Sequence, residues 1–169
     1  MRAALPFYQD PQIKEAMEGN ADAAIDLCYL ERAWEYLARR GYLFAVVETA
    51  SNRVIGELCL EWMNLQRAQV KPGEKVMRMP LGIWDKTRWG RGLGSEMVLL
   101  AMDYAFRVLQ VDRLCAMDIH PTNTRSRGLF ERCGFRPVRE LSDGTIDMEI
   151  ARRAWLLRQD RGPMLTACP

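Results

Sequence analysis

The sequence is poor in the residues that build metal and redox sites. It has a single histidine, His120, and its five cysteines are scattered without a C-x-x-C pair. Zinc sites take most of their ligands from these two residue types, usually at short fixed spacings. We therefore predict no metal site, and we interpret the cysteines as small core residues of a protein that stays in a reducing cytoplasm.

Several kinds of segment are also missing. No apolar run approaches the ~20 residues that a membrane-spanning helix needs. The N-terminus has no basic segment followed by an apolar stretch, as a secretion signal would have. Lysine and arginine total 24 against 22 acidic residues, so the chain lacks the positive charge that nucleic acid attracts. These absences predict a soluble protein whose partners are neither membranes nor nucleic acids.

What the chain does contain is enough apolar material for one core. With 169 residues and a hydrophobic fraction of 49%, residues 1–169 fit a single globular domain. Residues 152–169 form a polar C-terminal tail whose apolar members include Trp155, Leu156 and Leu157. We expect this tail to pack either on the domain or on the partner subunit of a homodimer.

The order of the predicted elements indicates a mixed α/β fold. Helices are predicted at 10–18 and 21–39, the second capped by Asn20 and ended by Gly41. The later elements are hairpin strands 42–49 and 54–62, exposed loop 64–75, strand 76–84, helix 95–109, strand 112–119, helix 124–133, and hairpin strands 135–140 and 145–151. Because proline cannot donate to a ladder, we expect a bulge or an unpaired edge at Pro80. This order predicts a largely antiparallel central sheet flanked by helices.

A glycine-rich turn joins one of these strands to a helix. Its sequence is Trp89-Gly90-Arg91-Gly92-Leu93-Gly94, and the predicted helix follows from Ser95. Bare backbone N–H groups at the positive end of a helix bind phosphate. The spacing is neither the dinucleotide pattern G-x-G-x-x-G nor the ATP-binding P-loop, since no lysine follows. On spacing alone, an anion site and a tight connection remain alternatives.

The surroundings of this turn resemble the GNAT superfamily of acetyl-coenzyme A-dependent N-acetyltransferases. Gly92 and Gly94 match the family's [QR]-x-x-G-x-[GA] turn, whereas Trp89 replaces its first residue. The Trp-Gly-[Lys/Arg]-Gly variant is similar to the branch that contains ribosomal-protein N-terminal and spermidine acetyltransferases. The segments Leu81-Gly82-Ile83, Asp85-Lys86 and Tyr104-Ala105-Phe106 also resemble that branch.

A second block of sequence resembles the same family. Asn123-x-x-Ser126, followed by residues 129–135, is similar to the pattern N-x-x-S…L-[YF]-E-K-x-G-F. The stretch 118–125 looks like the corresponding part of aminoglycoside 6′-N-acetyltransferases. The resemblance covers about 42–151 and implies the GNAT fold. The family's first strand would be short or missing, because only residues 1–7 are available for it.

The resemblance implies acetyl-coenzyme A as cosubstrate and places it on the chain. The amides of 91–95 would hold the pyrophosphate, the backbone of 81–83 would pair with pantetheine, and Asn123 would bond it from the far side. Arg88, Arg91, Arg125 and Arg127 are candidates for the phosphates. The implied cofactor-binding residues are Leu81, Gly82, Ile83, Arg88, Trp89, Gly90, Arg91, Gly92, Leu93, Gly94, Ser95, Asn123, Ser126 and Phe130.

Acetyl transfer also needs a group that takes a proton from the amine. The candidate bases are Glu57, Glu61, Asp85 and Asp118, of which the first two share a strand face by alternation. His120 is an alternative base that titrates near neutrality. Where the family often has a tyrosine acid, this chain has Phe130, which cannot donate a proton.

We therefore expect an acyltransferase that moves acetyl to a primary amine. The acceptor is a polyamine, an aminoglycoside-like molecule or a protein N-terminus. Glu57, Glu61, Asp85, Asp118 and Asp147 could line a site for a polycation, although the basic loop 64–75 argues against one. The competing hypothesis is a non-catalytic coenzyme A-binding or regulatory domain. It is suggested by Phe130, and by Pro80 where some relatives carry glutamate.

Overall fold

Three helices precede the sheet in the computed structural model, which describes residues 2, 4–18, 20, 22–63 and 65–159. They are α1 (Leu5–Tyr8), α2 (Pro11–Glu18) and α3 (Leu27–Arg40). The prediction for α2 is confirmed to within one residue. Among the described residues no strand precedes these helices, as expected from the short N-terminal segment.

The predicted start of α3 is wrong by six residues. Its cap is Asp26, whose carboxylate accepts a hydrogen bond from the Tyr29 amide at 2.7 Å. Asn20 instead accepts from the amide of Asp22 at 2.9 Å, which makes a local turn. A side-chain acceptor therefore closes a turn at each site, and only the second turn continues into helix. The predicted end is confirmed, since Gly41 follows the last turn.

Seven strands form one sheet, which confirms the predicted mixed, largely antiparallel architecture. The strands are β1 (Gly41–Glu48), β2 (Arg53–Trp62), β3 (Val76–Arg78), β4 (Leu81–Ile83), β5 (Arg113–Ile119), β6 (Arg136–Glu140) and β7 (Ile146–Ala151). Their order is β1-β2-β3-β5-β7-β6, with β4 paired to β2. Only the β3–β5 pair is parallel. The predicted strand 76–84 is thus two strands, interrupted at Met79 and Pro80.

The later helices lie close to their predicted positions. The prediction for α5 (Thr124–Cys133) is confirmed at both ends. Helix α4 (Leu93–Asp103) begins two residues before the predicted Ser95, because Gly92 adopts a left-handed conformation at its N-cap. A π-helical turn, Tyr104–Val108, extends it. In the tail, α6 (Arg152–Gln159) packs on the domain through the buried Trp155, and residues 160–169 lie outside the described part of the chain.

The two faces of the sheet differ in chemistry. One face, packed against α4, is apolar and includes Leu58, Leu60, Met77, Leu114 and Met148. On the opposite face the alternate residues are charged, and α3 covers part of it: the Cys59 thiol approaches the Leu37 carbonyl at 3.9 Å. Its charged side chains are Glu57, Glu61, Arg78, Arg113, Asp147 and Glu149. We call this the charged face.

Candidate active site

The sheet opens at the break between β3 and β4. The amide of Met79 donates to the carbonyl of Cys115 at 2.9 Å, which is the last bond that ties this segment to β5. Beyond it, β4 pairs only with β2. Since Pro80 has no N–H, it cannot continue the ladder, and the expected irregularity lies where Pro80 predicted it. The result is a gap between β4 and β5.

The backbone of β4 presents polar groups to this gap. The carbonyl of Pro80 accepts from the Cys59 amide, and the amide of Trp84 donates to the Ile55 carbonyl, each at 2.9 Å. In an antiparallel ladder successive residues direct their N–H and C=O groups to opposite edges. The backbone groups of Leu81 and Ile83 therefore face the gap. Such an edge accepts an extended, amide-containing chain.

The glycine turn lies at the mouth of the gap. Gly90 and Gly92 have φ values of 76° and 82°, and a Cβ atom on either would meet no atom within 4 Å. Open space therefore lies before the first amides of α4. Gly94 has a different role, because a Cβ there would lie 3.4 Å from Leu129 of α5. An anion before α4 would meet unpaired amides and the positive end of the helix dipole.

Trp89 connects the two sides of this mouth. Its indole Nε1 donates to the Ile83 carbonyl at 2.8 Å. The guanidinium of Arg125, on α5, stacks over the ring at 3.9 Å from the ring centroid. Arg125 is thus held by a cation–π contact rather than free on the surface. The tryptophan at the first position of the turn orders the connection from β4 to α5.

Four other residues predicted to bind the cofactor have structural partners. Arg88 forms a two-point ion pair with Glu48 of β1, at 2.9 and 3.1 Å. The Asn123 side chain accepts from the Ser126 amide at 3.0 Å and so caps α5. Phe130 is buried against Phe135. Arg91 is exposed in the turn, and Arg127 pairs with Glu131 at 3.0 Å on the surface of α5.

The first group of candidate bases is already occupied. Glu61 is 2% exposed, and its oxygens receive Arg40 Nε at 2.7 Å and Arg78 Nε at 2.5 Å. Asp85 accepts from the hydroxyl of Thr87 at 2.6 Å and from its amide at 2.9 Å, which lowers the pKa of Asp85. Both carboxylates therefore already have partners within the protein.

Asp118 and Asp147 share one arginine. Nη2 of Arg67 lies 2.5 Å from Asp118, and Nε lies 3.3 Å from Asp147. The hydrogen bond to Asp118 and the surrounding carboxylates raise the pKa of Arg67, so its charge is permanent. Asp147 also accepts the backbone amide of Asp118 at 3.1 Å. The basic loop predicted at 64–75 therefore neutralises this acidic pair directly.

Glu57 differs from all of these. It is 7% exposed, and Tyr8 donates a hydrogen bond to its Oε1 atom. Its Oε2 atom is buried without a hydrogen-bond partner, and no cation of the described residues pairs with it. Burial raises the pKa of Glu57 to about 8, while the nearby indole of Trp84 acts in the opposite direction. This carboxyl group titrates near neutral pH, as a general base should.

The residues around Glu57 come from distant parts of the chain. Tyr8 lies 49 residues before it, and Trp84 packs between Phe7 and Trp34 at ring-centroid distances of 6.4 and 5.8 Å. Local patterns had not singled out Tyr8 or Trp84, because neither belongs to a motif. The Nδ1 atom of His120 lies 2.8 Å from the hydroxyl of Thr122, two residues on, which fits a turn residue. No cluster of potential metal ligands occurs within the described ranges.

Residues 2–136 match the model of the family described as "Acetyltransferase (GNAT) domain". The chain therefore belongs to the GNAT acetyltransferase family. It is a GNAT N-acetyltransferase. None of the helices in the described part of the chain is both long enough and apolar enough to cross a membrane.

Solved structures with the same fold include two N-acetyltransferases with coenzyme A bound. Aminoglycoside acetyltransferase AAC(6′)-Ib with coenzyme A has a TM-score of 0.76 and 18% identity, over 95% of this chain and 93% of that one. Spermidine N-acetyltransferase from Vibrio cholerae, with coenzyme A and spermine, has a TM-score of 0.70 and 16% identity, over 92% and 94%. A GNAT-family acetyltransferase from Bacillus anthracis has a TM-score of 0.68 and 15% identity, over 89% of each chain. These likenesses support the fold.

Proposed function

We propose that this enzyme acetylates an acceptor with one amine, best represented by the α-amine of a peptide or protein, and that Glu57 takes the proton. The observation that carries the proposal is the pairing of the acidic side chains. Of the five candidate acidic residues, four form an ion pair with an arginine of the described residues. Among the described residues, Glu57 alone combines burial, a bare oxygen and the absence of a cation.

A polycationic acceptor would need several carboxylates at once. Spermidine and aminoglycosides carry amines several ångströms apart, and each ammonium needs a negative partner when it leaves water. Here Arg40 and Arg78 occupy Glu61, and Arg67 occupies Asp118 and Asp147. The charged face therefore has one carboxylate to offer, which suits an acceptor with one amine.

The pKa values of the Glu57 carboxyl and of the acceptor's ammonium group also favour an α-amine. An α-amino group has a pKa of about 7.7–8.0, whereas an alkyl amine is near 10. The pKa of Glu57, raised by burial to about 8, matches the first of these. Proton transfer between groups of equal pKa has no thermodynamic penalty, and both are partly deprotonated just above neutral pH.

The donor would lie in the gap beside this carboxylate. Residues Leu81 and Ile83 would bind the pantetheine arm, and the amides at the start of α4 would bind the pyrophosphate. Acetyl-coenzyme A supplies the thioester carbonyl, and the N–H of Ile83 would donate to its oxygen. Glu57 stands opposite Gly82 in the β2–β4 ladder, one strand from this edge. Phe130 cannot protonate the departing sulfur. The coenzyme A thiolate is weakly basic, so it can leave without a proton.

An acceptor panel tests the proposal. Thiol release from acetyl-coenzyme A would be followed with a short peptide, its N-terminally acetylated form, a simple monoamine, spermidine and kanamycin. We expect the free peptide to give a kcat/KM at least tenfold above both polycations, and the blocked peptide to give none. A polycation as the best acceptor would refute the single-amine proposal. If none of the amines in the panel gave thiol release, a non-catalytic domain would be favoured.

A polycationic acceptor is the second candidate, and one observation favours it. The Asp118 side chain is 51% exposed, and Arg67 is the one residue in the described part of the chain that forms an ion pair with it. If Arg67 moved away, Asp118 and Asp147 would become a two-carboxylate site. Arg67→Gln should then lower the KM for spermidine severalfold in the polycation case. In the single-amine case it should leave spermidine a poor substrate.

A further inference from the structure

The N-terminal helix reaches the proposed base directly. Tyr8 is the last residue of α1, is 4% exposed, and donates its hydroxyl proton to Oε1 of Glu57. Its ring packs against Trp84 with centroids 6.1 Å apart. Trp84 follows β4, the strand that borders the cofactor gap. Tyr8 is therefore held by the same segment that would position the donor.

We infer that Tyr8 is a positioning residue for the reaction: it fixes Oε1 of Glu57, so that Oε2 is the oxygen that takes the proton. This inference rests on the proposed role of Glu57. A carboxylate has two equivalent oxygens and rotates freely about its last torsion unless one oxygen is tied. The hydroxyl of Tyr8 ties Oε1 and leaves Oε2 without a partner.

The other neighbours of Glu57 cannot replace this hydrogen bond. The indole N–H of Trp84 interacts with Glu57 and lowers its pKa, but its geometry falls short of a full hydrogen bond. Helix α3 contributes Trp34, stacked on Trp84, and no ion pair to Glu57. On its own strand, the next residue on the same face with a charge is Glu61, which its two arginines already neutralise. Tyr8 is the one hydroxyl among the described residues that bonds to Glu57.

The hydrogen bond also predicts a direction for the pH dependence. A donor to a carboxylate favours its charged form, so it opposes the effect of burial. Removing the donor should make Glu57 harder to ionise. Because the base works in its ionised form, the rising limb of kcat/KM against pH should move to higher pH.

Tyr8→Phe is the sharpest variant, since it removes the hydroxyl and keeps the ring that packs on Trp84. We expect its rising limb to move up by about one to two pH units, the equivalent of one charge-assisted hydrogen bond. The affinity for coenzyme A, measured by calorimetry, should stay within about twofold, because no contact of the glycine turn changes. Tyr36→Phe is the matched control, a hydroxyl deletion on the exposed side of α3, and should leave the profile unchanged.

A second substitution tests the same bond in the opposite direction. Tyr8→fluorotyrosine has a more acidic hydroxyl and donates a stronger hydrogen bond, so the limb should move to lower pH. This variant decides the question if Tyr8→Phe does not fold. A limb that moves with neither variant, while Glu57→Gln abolishes it, would overturn the role of Tyr8 and leave that of Glu57 intact. A wild-type rate and profile in Glu57→Gln would instead overturn the proposed function.

Discussion

Glu57 and Glu61 lie on the same strand, on the same face and four residues apart, yet their surroundings are opposite. Glu61 is held by two arginines, one from α3 and one from β3. Glu57 accepts a hydrogen bond from Tyr8 on one oxygen, and its other oxygen has no well-formed hydrogen bond to the described residues. Both are nearly inaccessible to water. Burial alone therefore does not separate the two carboxylates, whereas their partners do.

The physical reason is the cost of burying charge. A buried carboxylate without a cation loses hydration and gains little in return, so it becomes neutral and its pKa rises. At Glu61 two guanidinium groups offset the loss of hydration, and the ion cluster joins three elements of the fold. At Glu57 no cation of the described residues offsets it. An incoming ammonium group would supply the missing partner.

The largest difference between the two residues should appear in the rate. Glu57→Gln keeps the shape of the neutral acid but cannot accept a proton, so kcat should fall by about 10²–10⁴-fold. Steady-state kinetics with the best acceptor measures this, and circular dichroism checks the fold. A loss below threefold in a folded variant would remove Glu57 from the mechanism.

Glu61→Gln should show the reverse pattern, with a loss of stability rather than of chemistry. Removing the carboxylate leaves Arg40 and Arg78 without their ion pair. We expect the free energy of unfolding to fall by about 3 kcal/mol, near the lower end for a broken buried pair, because both arginines are partly exposed. Urea unfolding measures the change in the free energy of unfolding. The folded fraction should keep a kcat within about threefold of the wild type, and a fall comparable to that of Glu57→Gln would end the contrast.

We expect changes at Glu57 to affect the reaction with the acceptor and not the binding of the donor. Gly92→Val should instead affect donor binding. Its side chain would enter the space before α4, so the affinity for coenzyme A should fall at least tenfold. The backbone strain of this change needs its own control. Gly73 has the same φ of 82° and equally open surroundings, in a loop far from the turn in sequence.

Gly73→Val should therefore lose a similar amount of stability and keep its affinity for coenzyme A. Calorimetric titration of both variants separates strain from blocked binding. Equal affinities in the two would contradict the assignment of the turn to the cofactor.

The last expected effect is a slope in stability against pH, which is small at each step of one pH unit. Because the pKa of Glu57 is raised from its ordinary 4.5 to about 8, the folded state holds a proton that the unfolded state releases between these values. Its contribution to stability is complete below pH 4.5 and falls by at most about 1.4 kcal/mol per pH unit up to pH 8. Urea unfolding at pH 5, 6, 7 and 8 should give this slope as the difference between the wild type and Glu57→Gln. Parallel curves for the two proteins would contradict it.

The glycine turn and its neighbours, to which we assign the cofactor, could be located from the sequence because their signals are local. The turn, the helix α5 and the break at Pro80 each depend on residues within a few positions of one another. The shared face of Glu57 and Glu61 also followed from strand alternation, and the hairpin pairing confirms it.

The surroundings of Glu57 and Glu61 could not be predicted in the same way, because they depend on long-range contacts. Glu61 meets Arg40 across 21 residues, and Glu57 meets Tyr8 across 49. Which of the two carboxylates has a cation is decided by tertiary packing, and alternation carries no information about it. The misplaced start of α3 has a related cause: Asn20 and Asp26 both make capping-type turns, and packing decides which one continues.

The most direct test of the account is the titration of Glu57 itself. Carbon NMR of protein labelled at the glutamate side-chain carboxyls, with Glu57→Gln to assign the signal, would follow its ionisation in the absence of any ligand. We expect the Glu57 carboxyl to titrate near pH 8. A Glu57 signal that titrates near pH 4.5 would show an ordinary solvated or neutralised carboxylate. It would contradict the claim that Glu57 lacks a cationic partner until an amine binds.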